Sequence, residues 1–259
     1  MERSEDRKVT TLARWQPGAK RWKPVVKNAV GTLAGITCPG MTEWCISESG
    51  SKCYAMETEK IYTHSRNLVE RNTIALEKAV TVEEKIRLYD KAVMDYLVDH
   101  EKAQKKVSWF IPKIFRWFWD GDIKTKEDAR AIRAVCNKHP DVQFWNYSRS
   151  FDFVPFLLGP DNLTTYLSVD KFNIEAARKV EGPVHYAFCG DTWDQAEELS
   201  RELTGRNCPK CPELTGRYDL VVDKGNGFGI GACSECMLCI NGTNNVRFTS
   251  DKKRKTYKR

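Results

Sequence analysis

The sequence has no long apolar run: nowhere do hydrophobic residues continue for the ~18 positions that a membrane helix needs, so no membrane partner is expected. Its first residues, MERSEDRKVTTLARWQPGAKRWK, lack the apolar core of a secretory signal, and the expected location is the cytoplasm. The glycine-rich stretch DKGNGFGIGAC (223–233) lacks the lysine–serine ending of a phosphate loop and reads instead as a flexible lead-in to the cysteines that follow. Hydrophobic residues are not scarce. At 41% they exclude a wholly disordered chain, and 259 residues suffice for one α/β domain, alone or with a small module.

The formal charge of +7 is unevenly spread. Lys252 to Arg259 hold six basic residues and no acid, and residues 1–30 hold eight basic residues against three acids, which leaves the stretch between them net acidic. Basic ends of this kind can contact nucleic acid through counterion release, so nucleic acid is a candidate partner.

Ten cysteines in a cytosolic-looking chain favour metal or redox chemistry over disulfides. Eight of them fall into two sets. The first is Cys38-x6-Cys45-x7-Cys53, three thiols within sixteen residues. A closed zinc site needs four ligands, which His64 or a distant cysteine could complete, whereas a cubane on three cysteines leaves one iron open. The second is Cys208-x2-Cys211, then twenty-one residues, then Cys233-x2-Cys236-x2-Cys239. Paired CxxC elements at that distance suit zinc, and CxxCxxC is a compact iron–sulfur spacing. Five thiols for four places leave Cys208 and Cys211 as competitors. Cys136 lies in a helical pattern and reads as a small buried hydrophobe. Cys189, beside Gly190 and Asp191, reads as a core residue that could also face a site.

Along the chain, residues 1–24 read as an irregular arm and VVKNAVGTLAGITC (25–38) as a strand entering the first cysteine loop. Helical spacing runs from about Glu57 to Gln104, with Thr81 and Glu84 as a capping box. Apolar runs at 107–122, 141–149, 162–170 and 182–191 then alternate with helical segments at 125–138, 173–180 and 192–204; residues 151–160 read as a loop with one turn of helix. Such alternation indicates parallel βαβ units. Nearly every run ends in polar residues, Asp120-Gly121-Asp122, Ser148-Arg149, Ser168 with Asp170, and Gly190-Asp191, which predicts a shared polar rim at the carboxyl ends of the strands. Most of Trp117, Phe118, Trp119, Phe144, Trp145 and Tyr147 must serve packing.

The strand leading into a three-cysteine loop with CYA at its end, the Trp119-Asp120-Gly121-Asp122 turn, the helix KTKEDARAIRAVCNKHP and the strand DVQFWNYSR resemble the start of a radical S-adenosylmethionine enzyme. The order CPG-x4-C…CYA, GD, an aromatic strand ending in Ser-Arg, and a C-terminal CxxCxxC is also similar to a cysteine-rich family encoded by phages. The intervals of six and seven depart from the C-x3-C-x2-C of the radical family. The resemblance implies a partial (β/α) barrel of parallel strands over 25–205, with a small C-terminal cysteine-rich metal module at 206–245 and a basic tail at 246–259. It implies a [4Fe–4S] cluster on Cys38, Cys45 and Cys53 whose open iron takes S-adenosylmethionine, and an electron donor of reductase or flavodoxin type. Tyr54, Gly121, Asp122, Ser148, Arg149 and Asp170 would line the cofactor site. The expected function is then a radical modification of a nucleic acid, nucleotide or peptide. Its competitors are a zinc-dependent nucleic-acid-binding protein and a non-catalytic iron–sulfur protein on the same fold.

Overall fold

A computed structural model describes residues 1–46 and 53–250. In place of an irregular arm the chain opens with an antiparallel hairpin, β1 (Ala13–Gln16) and β2 (Arg21–Pro24). Trp15 and Trp22 are register partners with ring centroids 5.4 Å apart, a cross-strand aromatic pair of the kind that stabilises short hairpins. The residues just before it, from Val9 to Ala13, are buried.

Residues 25–38 form no regular strand. The stretch around Ala29 runs beside the main sheet, joined to it by a parallel bridge from Ala29 to Arg116 and by the Arg116 N–H donating to the Asn28 carbonyl, and residues 34–37 then form a turn. Three helices follow: α1 (Tyr54–Ile61), α2 (Thr63–Lys78) and α3 (Val82–Gln104), the last opened by the expected Thr81–Glu84 capping box.

The remainder alternates as expected: β3 (Ile114–Arg116), α4 (Lys126–Lys138), β4 (Gln143–Ser148), α5 (Val154–Leu157), β5 (Leu163–Val169), α6 (Ile174–Arg178), β6 (His185–Gly190) and α7 (Trp193–Thr204). The run 107–122 supplies only three strand residues, because Phe118 adopts a left-handed φ of 50° and the Trp119 N–H turns to the Val30 carbonyl. Then come β7 (Val221–Gly225), β8 (Phe228–Gly231), α8 (Ala232–Cys236) and β9 (Val246–Thr249).

The fold is mixed α/β. A curled, half-barrel sheet runs β3-β4-β5-β6-β9, every pair parallel. With the extended segment at Ala29 beside β3, six chain positions follow one another around the curl in sequence order. Phe115, Trp117 and Phe144 face the helices and pack with Tyr89 and Tyr96 of α3 and Ile132 of α4; Trp117 and Phe144 stack at 5.3 Å. Leu167, Val169 and Phe188 pack against α6 and α7.

Two readings of the C-terminal third change. Residues 223–233 are mostly a β-hairpin turning on Asn226-Gly227, both with positive φ, which joins the N-terminal hairpin in a second sheet ordered β2-β1-β8-β7. Residues 246–249, placed in the basic tail by sequence, are the last strand of the half barrel; Lys252 to Arg259 lie outside the described residues. Among the described residues no helix is long and apolar enough to cross a membrane.

Candidate functional site

The first cysteine loop lies across the carboxyl ends of the parallel strands. Gly40 packs so closely on the end of β4 that a Cβ there would stand 1.8 Å from the Arg149 carbonyl oxygen. Thr42 donates to Asp170 Oδ2 at 2.7 Å, just after β5, and Trp44 Nε1 donates to Asp191 Oδ1 at 3.0 Å, just after β6. The Arg149 guanidinium lies 5.2 Å from the centre of a Trp44 ring and pairs with Asp170, which is fully buried. Three successive strand ends therefore hold the eight residues that carry Cys38 and Cys45. Cys53 caps α1, and residues 47–52, which join it to Cys45, lie outside the described residues.

The expected rim is present, and each member has a definite place. Gly121 has φ +71°, and a side chain there would meet Thr32 and Thr37 at 2.2 and 2.5 Å, so glycine lets the turn press against the base of the cysteine loop. Asp122 is buried and accepts from the backbone N–H groups of Ile123 (2.7 Å), Arg149 (2.7 Å) and Ser150 (3.2 Å). Burial raises its pKa, and the bonds from Arg149 and Ile123 oppose the shift. Asp122 thus ties the turn after β3 to the end of β4. Ser148 belongs to the same knot, its Oγ accepting from the Ser150 N–H at 3.0 Å. Tyr54 is half exposed, while its hydroxyl donates inward to the Trp119 carbonyl and accepts from Arg116 at 3.2 Å.

The thiols of the first set act electrostatically on one another. Burial chiefly raises the Cys38 pKa, with contributions from Asp122, Cys53 and Cys45; burial also raises that of Cys53, with Cys45 and Asp120 adding to it. His64 is not brought to them: it is exposed on α2, where its charge acts on Glu2 and Glu5. Cys189 is brought to them. Burial pushes its thiol up to about 11, and its further electrostatic partners are Arg149, Asp170, Cys45 and Cys53. Of the two sequence readings of Cys189, core packing or facing a site, alternation along β6 favours the second, because it turns the side chain to the inner face. Cys136 is buried in α4, as expected.

The second set lies against the inner face of the same sheet. Cys239 packs with Tyr166, Ala187 and Val246, and its thiol hydrogen-bonds the Tyr147 hydroxyl. Burial raises it to about 12, with Cys211 and Cys236 adding to the shift. Burial likewise raises Cys233, opposed by Lys8 and reinforced by Cys211 and Cys239. Cys211, Cys233 and Cys239 thus act electrostatically on one another, and Cys236 acts on Cys239. Cys208 is not among them: it packs with Leu199 and Phe188, and its N–H donates to Ser200 Oγ. Lys8 enters from the N-terminal segment, 2.7 Å from Glu213, and Cys233, Cys211 and Glu213 hold its ammonium charged against the cost of burial.

Among the described residues, no three His, Cys, Asp or Glu side chains stand in a geometry that would hold a metal ion as they are. A cavity of about 250 Å³ opens behind the Asp122 turn, lined by Thr32, Thr37, Tyr89, Asp128 and neighbours, and none of the cysteines reaches it. A second, of about 270 Å³, is bordered by Cys236, Met237, Tyr218 and Arg217.

Sequence reasoning missed three participants: Lys8, Trp44 and Glu59, whose carboxyl acts on that of Asp120. Lys8 and Trp44 carry no local signal.

The chain is similar over nearly its whole length to two phage proteins. It is 30% identical to the gene 88 protein of Mycobacterium phage L5 over 258 residues, covering 98% of this chain and 99% of that one. It is 32% identical to the gene 88 protein of Mycobacterium phage D29 over 259 residues, with the same coverage. No solved structure matches it. The model of the family described as gene product 88 matches residues 2–242. The chain belongs to this gene product 88 family of phage proteins.

Proposed function

We propose that the chain is an iron–sulfur enzyme of radical S-adenosylmethionine type, with Cys38, Cys45 and Cys53 as ligands of a [4Fe–4S] cluster. The observation that carries this reading is the seat of the cysteine loop. It follows the first chain position of a sequentially ordered parallel half barrel, and Gly40, Thr42 and Trp44 fasten it over the ends of β4, β5 and β6. Reactive groups of parallel α/β folds gather at that end. The donor chemistry also fits: three thiols on one loop whose charges bear on each other, with a guanidinium opposite. A cubane holds its cysteine sulfurs farther apart than one tetrahedral ion does, which accords with thiols that are coupled but not gathered around a point.

When bound, the cluster would supply the electron that cleaves S-adenosylmethionine reductively to a 5′-deoxyadenosyl radical, drawn from a one-electron donor of reductase or flavodoxin type. The chain's own part is orientation and exclusion of water. Arg149 offers a positive charge for the methionine carboxylate. Gly121 lets the turn close beneath the loop, and Asp122, saturated by backbone donors, holds the ends of β3 and β4 in register. The half-exposed ring of Tyr54 supplies an apolar flank next to Cys53.

The second set supplies four thiols, Cys211, Cys233, Cys236 and Cys239, the number that closes either a zinc site or a second cluster. Anaerobic reconstitution tests both assignments. Iron and sulfide at about four per chain, with zinc at about one, mark one cluster and a zinc site; about eight irons mark two clusters. Absorbance near ~400 nm should appear, and reduced protein should convert S-adenosylmethionine to 5′-deoxyadenosine. Cys45→Ala should lose the first cluster's iron and all cleavage. Retention of both in that variant refutes the ligand assignment.

A further inference from the structure

The cavity of about 250 Å³ behind the Asp122 turn is framed by the residues after β3, the junction of α2 with α3 and the first turn of α4. Leu76, Tyr89 and Phe118 give it apolar walls, and Phe118 holds its left-handed φ of 50° there. Backbone strain of that kind gathers at ligand-binding positions. Hydrogen-bonding capacity left over in the walls distinguishes the cavity from a packing gap. Lys85 is buried, and among the described residues its ammonium uses one of three N–H groups, on Asp128 at 2.6 Å. Thr37 donates to the Leu33 carbonyl, so Thr32 is the donor in the 2.8 Å contact between the two hydroxyls, and its own lone pairs stay open. The Tyr89 hydroxyl donates to Asp128 and also keeps its lone pairs. The buried carboxylates offer nothing further: Asp128 accepts from Lys85, Tyr89 and Thr125, and Asp122 from three backbone N–H groups. Toward the rim Lys124 pairs with Glu77 at 2.7 Å, which leaves Glu127 with no ion-pair partner among the described residues.

We propose that this cavity binds a neutral purine base, whose ring nitrogens accept from Lys85 and whose N–H groups donate to the Thr32 and Tyr89 hydroxyls and to Glu127. A cavity of roughly 150 Å³ holds one benzene, so this one admits a bicyclic ring with its substituents. Acceptors and donors alternating on an apolar frame match the open groups of the wall, and a negative charge on the ligand would meet Glu127. The site stands apart from both cysteine sets and does not rest on the cluster assignment. Thr37, next to Cys38, belongs both to its wall and to the footing of the cysteine loop, where it accepts from the Asp122 N–H at 3.3 Å.

The test uses the full chain as purified and 2-aminopurine, whose fluorescence falls when it stacks on aromatic rings. Titration should give saturable quenching at one base per chain, reversed by adenine. Indole has the bicyclic shape but no ring acceptor, and it should need at least about tenfold more, because the buried groups would go unpaired. Urate, a purine that is anionic at neutral pH, should also need about tenfold more. S-adenosylmethionine should displace nothing. Ala79→Leu, at the end of α2, fills the cavity and should abolish quenching. Glu127→Gln, at the rim, should narrow the gap between adenine and urate to about threefold, which locates the base even if Ala79→Leu does not fold. Absence of saturable quenching up to about 1 mM overturns the proposal. Indole competing as well as adenine overturns it too, since the cavity would then select shape alone. Displacement by S-adenosylmethionine, or binding that neither variant alters, would put the base elsewhere and equally refute the site.

Discussion

Asp120 gives the sharpest test of the electrostatics beneath the cysteine loop. It is 1% exposed, and neither of its carboxyl oxygens meets a hydrogen-bond donor. Glu59 of α1 stands opposite, its other interaction being a bond accepted from the Ala34 N–H at 2.7 Å. Two ionised carboxylates cannot bond to each other, so the contact requires a shared proton. Burial first, then the charge of Glu59 and that shared bond, push Asp120 from 3.8 up to about 8. At about 1.4 kcal/mol per unit the shift is worth roughly 6 kcal/mol in favour of the neutral acid. Because the folded pKa is raised, the contribution is fully present below the unfolded value and is lost as pH climbs through about 8. Asp120→Asn keeps the shape, donates an N–H to Glu59 and does not ionise. The two proteins should be of similar stability near pH 4, and the variant should be the more stable by up to roughly 4 kcal/mol at pH 7. Urea unfolding across that range reads the difference directly. Parallel stability curves for wild type and variant, or a variant weaker at neutral pH, would refute the shared-proton account.

Three further outcomes are expected. Lys85→Met should destabilise the chain by about 3 kcal/mol, since it leaves Asp128, paired with Lys85 at 2.6 Å and only 3% exposed, with Tyr89 and its helix-capping bonds alone; adding Asp128→Asn should recover part of the loss in denaturant unfolding. Cys211→Ala should release the metal of the second site, whereas Cys208→Ala should keep it and cost only packing, as atomic-emission analysis of purified protein would show. Gly121→Ala should lower stability by roughly 2 kcal/mol, because its φ of +71° and the 2.2 Å approach to Thr32 leave no room for a methyl group; a melting temperature equal to wild type would show that the turn is less constrained than its contacts imply.

The parallel strands and helices after residue 120 were legible because each carries its own periodicity and its own cap: Thr125 and Asp128 open α4, and Thr192 and Gln195 open α7. The N-terminal hairpin was not, since its strands have four residues each and the sheet they join is completed by β7 and β8, two hundred residues away. Hydrophobic pattern reports burial, and it cannot name a distant partner. The same limit hid β9, whose Val246-Arg247-Phe248-Thr249 looks like the start of a basic tail until Arg247 is seen to pair with Glu197 of α7 at 2.7 Å. At the candidate site the rim residues were legible as strand endings, whereas spacing could not decide between Cys208 and Cys211. Tertiary contact separates the two: the Cys211 N–H is held by the Arg247 carbonyl on β9, and the Cys208 N–H by Ser200 on α7.

The placement of the first cysteine set over the strand ends and of the second against the inner face of the same sheet constrains the second set more than its own spacing does. Arg116, 9% exposed, reaches the Tyr54 hydroxyl beside Cys53 and lies 5.4 Å from the ring centre of Tyr147. The Tyr147 hydroxyl bonds to Cys239, and Arg116, whose pKa Tyr54 and Asp6 chiefly raise against the cost of burial, also faces Tyr147 and Cys233. Three side chains, Tyr54, Arg116 and Tyr147, therefore connect the two sets through direct contacts. An appended zinc knuckle that merely finishes the chain would have no need of the inner face, where its cysteines displace apolar packing and require Lys8, from the opposite end of the chain, as a counter-charge. A centre whose charge must be felt at the first site does need that position. If both sets hold clusters, as proposed, each electron added to one would alter the field at Arg116, and through it the hydrogen bond between Arg116 and the Tyr54 hydroxyl.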